Sequence, residues 1–274
     1  MPELPEVETM VRDIRPALVG RQLGRVSLSH DDILSGVTRR TLLRGLNGTT
    51  VQSVSRRAKH AVIDLGARRL VVQPGMTGSL IVYNRPLTDD ERHYAVLRAP
   101  LDDGRELVYR DVRRIGKLRL LNESGWQRYS GAIGPEPLDP GFTAERLGQA
   151  LGRSRQAVKK VIMDQRHLAG VGNIYANEAL FAAGIDPSKP ARRLTPDDHR
   201  RLHAEIQRIL NAAIASSGTT VRDYRTGTGE PGNFQLELLV YGREGEPCRR
   251  CGTRLTGTHL IDARISVFCH HCQS

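Results

Sequence analysis

Between about Arg21 and Leu121 the chain repeats one pattern, a short run of β-branched and aliphatic residues followed by a break. The runs are VQSV, AVIDL, RLVVQ, SLIVY, YAVLRA, ELVYR and KLRLL, with Gly, Pro, Asn and Asp-Gly between them. So many short strands at close spacing predict a β-sandwich or barrel. In front of them, residues 5 to 18 predict an amphipathic helix, because Val7, Val11, Ile14 and Leu18 fall on one stripe. Pro5 suits its first position, and Glu6 and Glu8 suit the positive end of its dipole. Pro16 is expected to kink or shorten the last turn, and Gly20 to end it. A short helix is expected around Thr41 to Leu46.

The texture then changes. IGPEPLDPGF, residues 133 to 142, is rich in Pro and Gly and reads as a linker. Beyond it LGQAL and AVKKVIMD predict two shorter helices. Thr195 is expected to cap a longer one, with Pro196 at its first position and Leu202, Ile206, Ile209 and Ala213 along its apolar stripe. The fold class is therefore α+β.

A length of 274 residues allows one large or two moderate domains, and 4% aromatics imply a mostly aliphatic core. A formal charge of +11 attracts polyanions, and nucleic acid is favoured over an acidic membrane. Several acids and no continuous apolar core in the first twenty residues argue against a secretory signal. No apolar run approaches the roughly 20 residues that span a bilayer. A soluble, cytoplasmic protein is expected, and nothing argues against a monomer.

All four cysteines follow residue 247, as Cys248-x2-Cys251 and Cys269-x2-Cys272 with 17 residues between the pairs. A reducing compartment disfavours structural disulfides. Two knuckles of this kind offer four thiolates for a tetrahedral zinc ion, and the segment between them reads as a β-hairpin. Two accidental pairs or a redox site are the plainer readings. Four thiolates close the coordination sphere, so His270 and His271 are not needed and the zinc is expected to be structural. No organic cofactor is expected.

The chain opens MPELPEVET. Trimming of Met1 before a small residue exposes the secondary amine of Pro2. An α-amino group titrates near pH 8, roughly two units below lysine, so a useful fraction is neutral and nucleophilic. Such an amine can attack a sugar C1′, expel the base and leave an iminium, with Glu3 beside it to move protons. On composition alone the plainer reading, that Pro2 and Glu3 only lead into the helix, is favoured.

MPELPEVET, however, resembles the start of the bacterial formamidopyrimidine-DNA glycosylases, and further blocks follow in family order. They are RRAK at 56–59, GMTGSL at 75–80, RDVRRIGK at 110–117 and IGPEPL at 133–138. DQRHLAGVGNIYANEALFAAGI at 164–185, SGTT at 217–220 and ELLVYGREGEPCRRCGT at 237–253 complete the set. The resemblance implies a catalytic β-sandwich domain over 1–132, a linker at 133–142, a helix–two-turns–helix domain over 143–234 and a zinc finger over 235–274. It makes Pro2 the nucleophile, Glu3 the proton donor, Lys59 a proton-transfer group in β-elimination, and Arg264 a phosphate grip tied to δ-elimination. It makes Met76, Arg113 and the residue at 115 the wedge that fills the space of an extruded nucleotide. The family has phenylalanine at that third position; here it is Ile115. Gln73 replaces a family histidine, and the zinc loop is one residue longer than usual. His93, Arg153, Arg155, Lys159 and Asn173 are further expected DNA contacts. Gly170 and Gly172 are expected to expose backbone amides to phosphate, and Thr219 to Phe234 to form a mobile loop over the flipped base.

The implied activity is a bifunctional glycosylase and lyase acting on oxidised purines in damaged double-stranded DNA. Two alternatives stand beside it. One is an endonuclease VIII-like enzyme for oxidised pyrimidines, and the other a non-catalytic zinc-containing DNA-binding protein.

Overall fold

In the computed structural model, residues 1–152, 154–220 and 225–274 are described. Helix α1, Leu4–Leu18, buries Val7, Met10, Val11, Ile14 and Leu18, the stripe read from sequence. Each such side chain contributes about 1.5–3 kcal/mol on leaving water, so an acid at Ile14 would unseat the helix. Pro16 sits inside the last turn on the exposed side, and the helix runs two residues past it. The N–H of Val19 then closes on the carbonyl of Arg15 at 3.1 Å.

All seven sequence runs form strands. With β1 (Ser27–Leu28) and α2 (Arg39–Leu46) before them, they are β2 (Ser53–Arg57), β3 (His60–Asp64), β4 (Arg69–Gln73), β5 (Gly78–Tyr83), β6 (Ala95–Pro100), β7 (Glu106–Asp111) and β8 (Lys117–Leu121). Two short helices escaped the sequence reading, α3 (Asp89–His93) between β5 and β6 and α4 (Glu123–Gly131) after β8. The strands make two antiparallel four-stranded sheets, ordered β1-β6-β7-β5 and β2-β3-β4-β8. The outcome is a sandwich, and its aliphatic core runs from Ile14 of α1 through Val54, Ile63 and Val72 to Leu80, Leu97 and Leu107.

The C-terminal half is helical, with α5 (Ala144–Leu151), α6 (Val158–Met163), α7 (Asn173–Ala183) and α8 (Pro196–Ala215). The Thr195 hydroxyl caps α8 by accepting the Asp198 N–H at 3.1 Å, while the Asp198 carboxylate accepts the Thr195 N–H at 3.0 Å. The reciprocal pair satisfies two otherwise orphaned donors. The Pro/Gly-rich stretch at 133–142 is tied down rather than loose. Gly134 donates to the Gln165 carbonyl, the Pro135 carbonyl accepts from Ala169, and the Pro137 carbonyl accepts from Gln207. Strands β9 (Thr256–Thr258) and β10 (Ser266–Phe268) pair as the expected antiparallel hairpin.

By contacts the chain divides into residues 1–131 with 216–233, and residues 132–215 with 234–274. The sequence boundaries put Thr219 to Phe234 with the helices. Residues 216–220 and 225–233 instead lie on the N-terminal unit, because α1 holds them: Glu6 accepts the Thr219 N–H at 2.8 Å and Asp13 accepts the Gly227 N–H at 2.9 Å, while 221–224 lie outside the described residues. No helix among the described residues is long and apolar enough to cross a membrane.

Candidate active site and DNA-binding elements

In the N-terminal unit, Pro2 and Glu3 are buried at the head of α1. Glu6 is buried with them, and its carboxylate accepts the Glu3 N–H at 2.8 Å as well as the Thr219 N–H. One side chain thereby fixes the start of the helix to the loop at 216–233. Sequence reading assigned Glu6 only to the helix dipole; the acid three residues after Glu3 was the available signal. With Met1 in place the terminal amine is its own. Burial lowers the pKa of that amine below its ordinary value; the Glu3 and Glu6 carboxylates oppose the shift, and Lys59 and Arg113 reinforce it. Of the groups acting on the terminus, Glu3, Lys59 and Arg113 were singled out from the sequence and Glu6 was not.

Lys59 lies in the two-residue turn between β2 and β3, where Arg57 pairs with His60. Ala58 takes a left-handed backbone, φ 52°, to make this turn, a conformation that costs an L-residue about 1 kcal/mol. The Lys59 side chain is buried. Next to it His60 is held at both ring nitrogens, Nδ1 3.0 Å from the Arg57 carbonyl and Nε2 2.9 Å from the Tyr129 hydroxyl. Burial lowers its pKa to about 4, so the ring is neutral at pH 7.

Met76 and Ile115 are each 46% exposed, and Val112 is exposed beside them. Large apolar side chains in water on two adjacent turns call for a partner. Arg113, also exposed, brings Nη1 to 3.3 Å from the Met76 sulfur. The two turns close on a buried carboxylate, Asp111, that no sequence pattern marked. It accepts from the Thr77 hydroxyl at 2.6 Å, the Tyr109 phenol at 3.0 Å and the Gly116 N–H at 2.8 Å. A Cβ at Gly116 would stand 1.9 Å from the Tyr109 oxygen, and one at Gly75 2.6 Å from the Gly116 nitrogen. His93 is exposed at the end of α3, edge-on to Tyr94. It lines a cavity of about 280 Å³ with His30, Asp111 and Arg114.

In the other unit, α6 and α7 are joined by a double turn. The Gln165 amide pins it, donating to the Met163 and Val171 carbonyls and accepting the Gly170 N–H at 2.8 Å. The expectation of exposed glycine amides fails at Gly170, whose N–H is spent inside the turn. Asn173 opens α7 half-buried. Arg155 is exposed, and Arg153 lies outside the described residues. Lys159 needs a correction. It is 0% exposed, and its ammonium donates to the Ile265 carbonyl at 2.9 Å and the Ser266 hydroxyl at 2.7 Å. It holds the base of the hairpin instead of standing free on the surface. Asn177 completes that joint by accepting the Val267 N–H at 2.9 Å. Arg264, two residues before β10, is exposed and 3.6 Å from Asp262.

The four cysteine sulfurs lie within 4.8 Å of one another, with Cys251 and Cys269 3.5 Å apart and Cys248 and Cys272 4.0 Å apart. Thiolates at the corners of a zinc tetrahedron stand about 3.8 Å apart, given a Zn–S bond of about 2.3 Å. Donor type and spacing both fit one metal ion. Glu178 braces the approach to this cluster by accepting the N–H groups of Leu239, Val240 and Tyr241 at 2.8–2.9 Å.

A sandwich with Pro2 and Glu3 buried at the head of its first helix, joined in one chain to a double-turn helix pair and a thiolate hairpin, is the arrangement of a DNA repair glycosylase of the helix–two-turns–helix class. The family model for the formamidopyrimidine-DNA glycosylase N-terminal domain matches residues 1–118, and that for the formamidopyrimidine-DNA glycosylase H2TH domain matches 133–225. The formamidopyrimidine-DNA glycosylase of Stutzerimonas stutzeri is 44% identical over all of both chains. The crystal structure of the Thermus thermophilus protein MutM (Fpg) superposes with a TM-score of 0.87 at 35% identity, covering 99% of this chain and 98% of that one. An Fpg variant of Lactococcus lactis in complex with Fapy-dG containing DNA gives 0.90 at 31% identity over the whole of both chains. The chain belongs to the formamidopyrimidine-DNA glycosylase family.

Proposed function

We propose that this chain excises oxidised purines from duplex DNA and then cuts the strand, with the amine of Pro2 as nucleophile. The observation that carries the reading is the placement of Pro2, buried at the head of α1 directly beside the buried carboxylates of Glu3 and Glu6. Pro2 nitrogen bonds to C1′ of the damaged nucleotide, the base leaves with the glycosidic electrons, and Glu3 delivers a proton as the sugar ring opens. The resulting iminium acidifies the C2′ proton. Loss of that proton expels the 3′ phosphate, and a second elimination expels the 5′ phosphate. Lys59, buried at the same end of the unit, moves protons in these steps, and Arg264 grips phosphate.

Met76, Arg113 and Ile115 fill the stack where the nucleotide leaves. Asn173, Arg155 and His93 contact the backbone, while Lys159 acts only by holding the hairpin. Relatives crystallised with Fapy-dG DNA and with DNA containing an abasic site support the substrate class. Cys248, Cys251, Cys269 and Cys272 would hold zinc, which supplies a structural cross-link to the hairpin. The enzyme would work in the cytoplasm on nucleoid DNA.

Borohydride reduction during turnover on an 8-oxoguanine duplex should trap a covalent adduct at Pro2. Pro2→Gly, or a chain retaining Met1, should trap at least tenfold less, a loss of about 1.4 kcal/mol or more in transition-state stabilisation. Adduct formation at another side chain, or full activity with Met1 retained, would sink this mechanism. Preference for oxidised pyrimidines over 8-oxoguanine would sink the substrate class.

A further inference from the structure

We propose that Asp111 and Thr77 form a positioning latch that fixes the Met76 turn against the Arg113 turn before DNA arrives. The inference rests on the reading of Met76, Arg113 and Ile115 as the wedge, and concerns what holds that wedge in shape.

Strands β5 and β7 stay in register only to the pair Gly78–Asp111. The wedge turns lie between that pair and the β4–β8 pair Gln73–Lys117, and among the described residues no ladder pair joins the turns themselves. Thr77 spans the gap. Its hydroxyl donates to Asp111 Oδ1 at 2.6 Å and accepts the Arg113 N–H at 3.0 Å, so one oxygen links the Met76 turn to both ends of the link. Asp111 Oδ2 meanwhile accepts the Gly116 N–H, which fixes the far side of the Arg113 turn. Tyr109 donates its phenol to the same oxygen, and burial followed by the Asp111 charge raises its pKa, so that donor is never lost at working pH.

Asp111 is 1% exposed, and a carboxylate so far from water is retained only while its donors stay in place. Arg114 adopts a left-handed backbone, φ 52°, within this turn and pairs with Asp32 at 3.2 Å. A non-glycine residue in that conformation persists only where its surroundings over-determine it. The wedge is therefore rigid at its root and enters the stack pre-shaped.

The test compares Thr77→Val, Thr77→Ser and Asp111→Asn on two substrates. One is an 8-oxoguanine·cytosine duplex, from which a nucleotide must be extruded. The other is a single-stranded oligonucleotide with an abasic site, where nothing need be displaced. Thr77→Val should slow single-turnover excision from the duplex about tenfold, the scale of one lost hydrogen bond to a charged group, while scission of the single strand stays within about twofold. Thr77→Ser keeps the bridging oxygen and should restore the duplex rate. A 2-aminopurine placed beside the lesion should brighten on binding wild type and Thr77→Ser, and much less with Thr77→Val. An unchanged duplex rate in Thr77→Val, or an equal fall on both substrates in both Thr77→Val and Asp111→Asn, overturns the latch. A wild-type chain inert on both substrates would instead overturn the functional reading.

Discussion

The residues proposed to be catalytic do not announce themselves individually. Pro2 and Glu3 read as an ordinary helix entry, and Lys59 as one of 41 basic residues. Only the run of family blocks in order gave them roles, because composition carries no information about which amine is buried among which charges. His60 went unnoticed for the same reason, since its significance depends on Tyr129, distant in sequence. Its folded pKa, about 4, lies below the roughly 6.5 of an unfolded histidine. Between those values the unfolded chain binds a proton that the folded chain does not. Stability is therefore unaffected at pH 7 and above, and falls as pH drops through 6.5 toward 4, by up to about 3 kcal/mol. Urea midpoints at pH 7.5 and pH 5 should show this fall in wild type, and His60→Gln should flatten it.

At the level of elements, period and punctuation were informative where runs were long enough. Seven β-branched runs became β2 to β8, and the capped stripe after Thr195 became α8. What escaped was short or polar, or, like the 11-residue α7, buried on nearly every side and so without an apolar stripe to read. Strand β1 is two residues long, and α3 is DDERH, whose acids look like a turn until Thr88 and Glu91 close a capping box. Lys159 was assigned to DNA by its place in the family resemblance, whereas its ammonium is spent on the Ile265 carbonyl and the Ser266 hydroxyl of the hairpin. The same hairpin gives two expectations. Removing metal with a chelator should unfold roughly the last 30 residues while leaving the sandwich intact, followed by near- and far-ultraviolet circular dichroism. Glu178→Gln leaves three backbone donors competing for one carbonyl oxygen. It should cost about 1–3 kcal/mol and speed metal release in a chromogenic chelator assay.

Over the whole molecule, the charge of +11 was legible at once and pointed to a polyanion. The partition of the chain was not, since Thr219 and Gly227 return to the N-terminal unit through hydrogen bonds to Glu6 and Asp13 that no linear reading reveals. Affinity for DNA should fall with salt on a log–log line, and Arg264→Ala should reduce its slope by about 0.9 if that guanidinium neutralises one phosphate. Fluorescence anisotropy across a salt series measures this directly; an unchanged slope would remove Arg264 from the interface.

The crowding behind the Met76 and Arg113 turns limits which positions can accept a new side chain. Gly75 and Gly116 have no room for even a methyl group, whereas the side chains at 76 and 115 end in open water. Substitution is therefore sterically open at the tips and closed at the mount, so the side chain at 115 can change without disturbing the glycines beneath it. Libraries randomised at these two outer positions should yield folded enzymes with altered tolerance for the opposing base. Libraries at the two glycines should yield almost none.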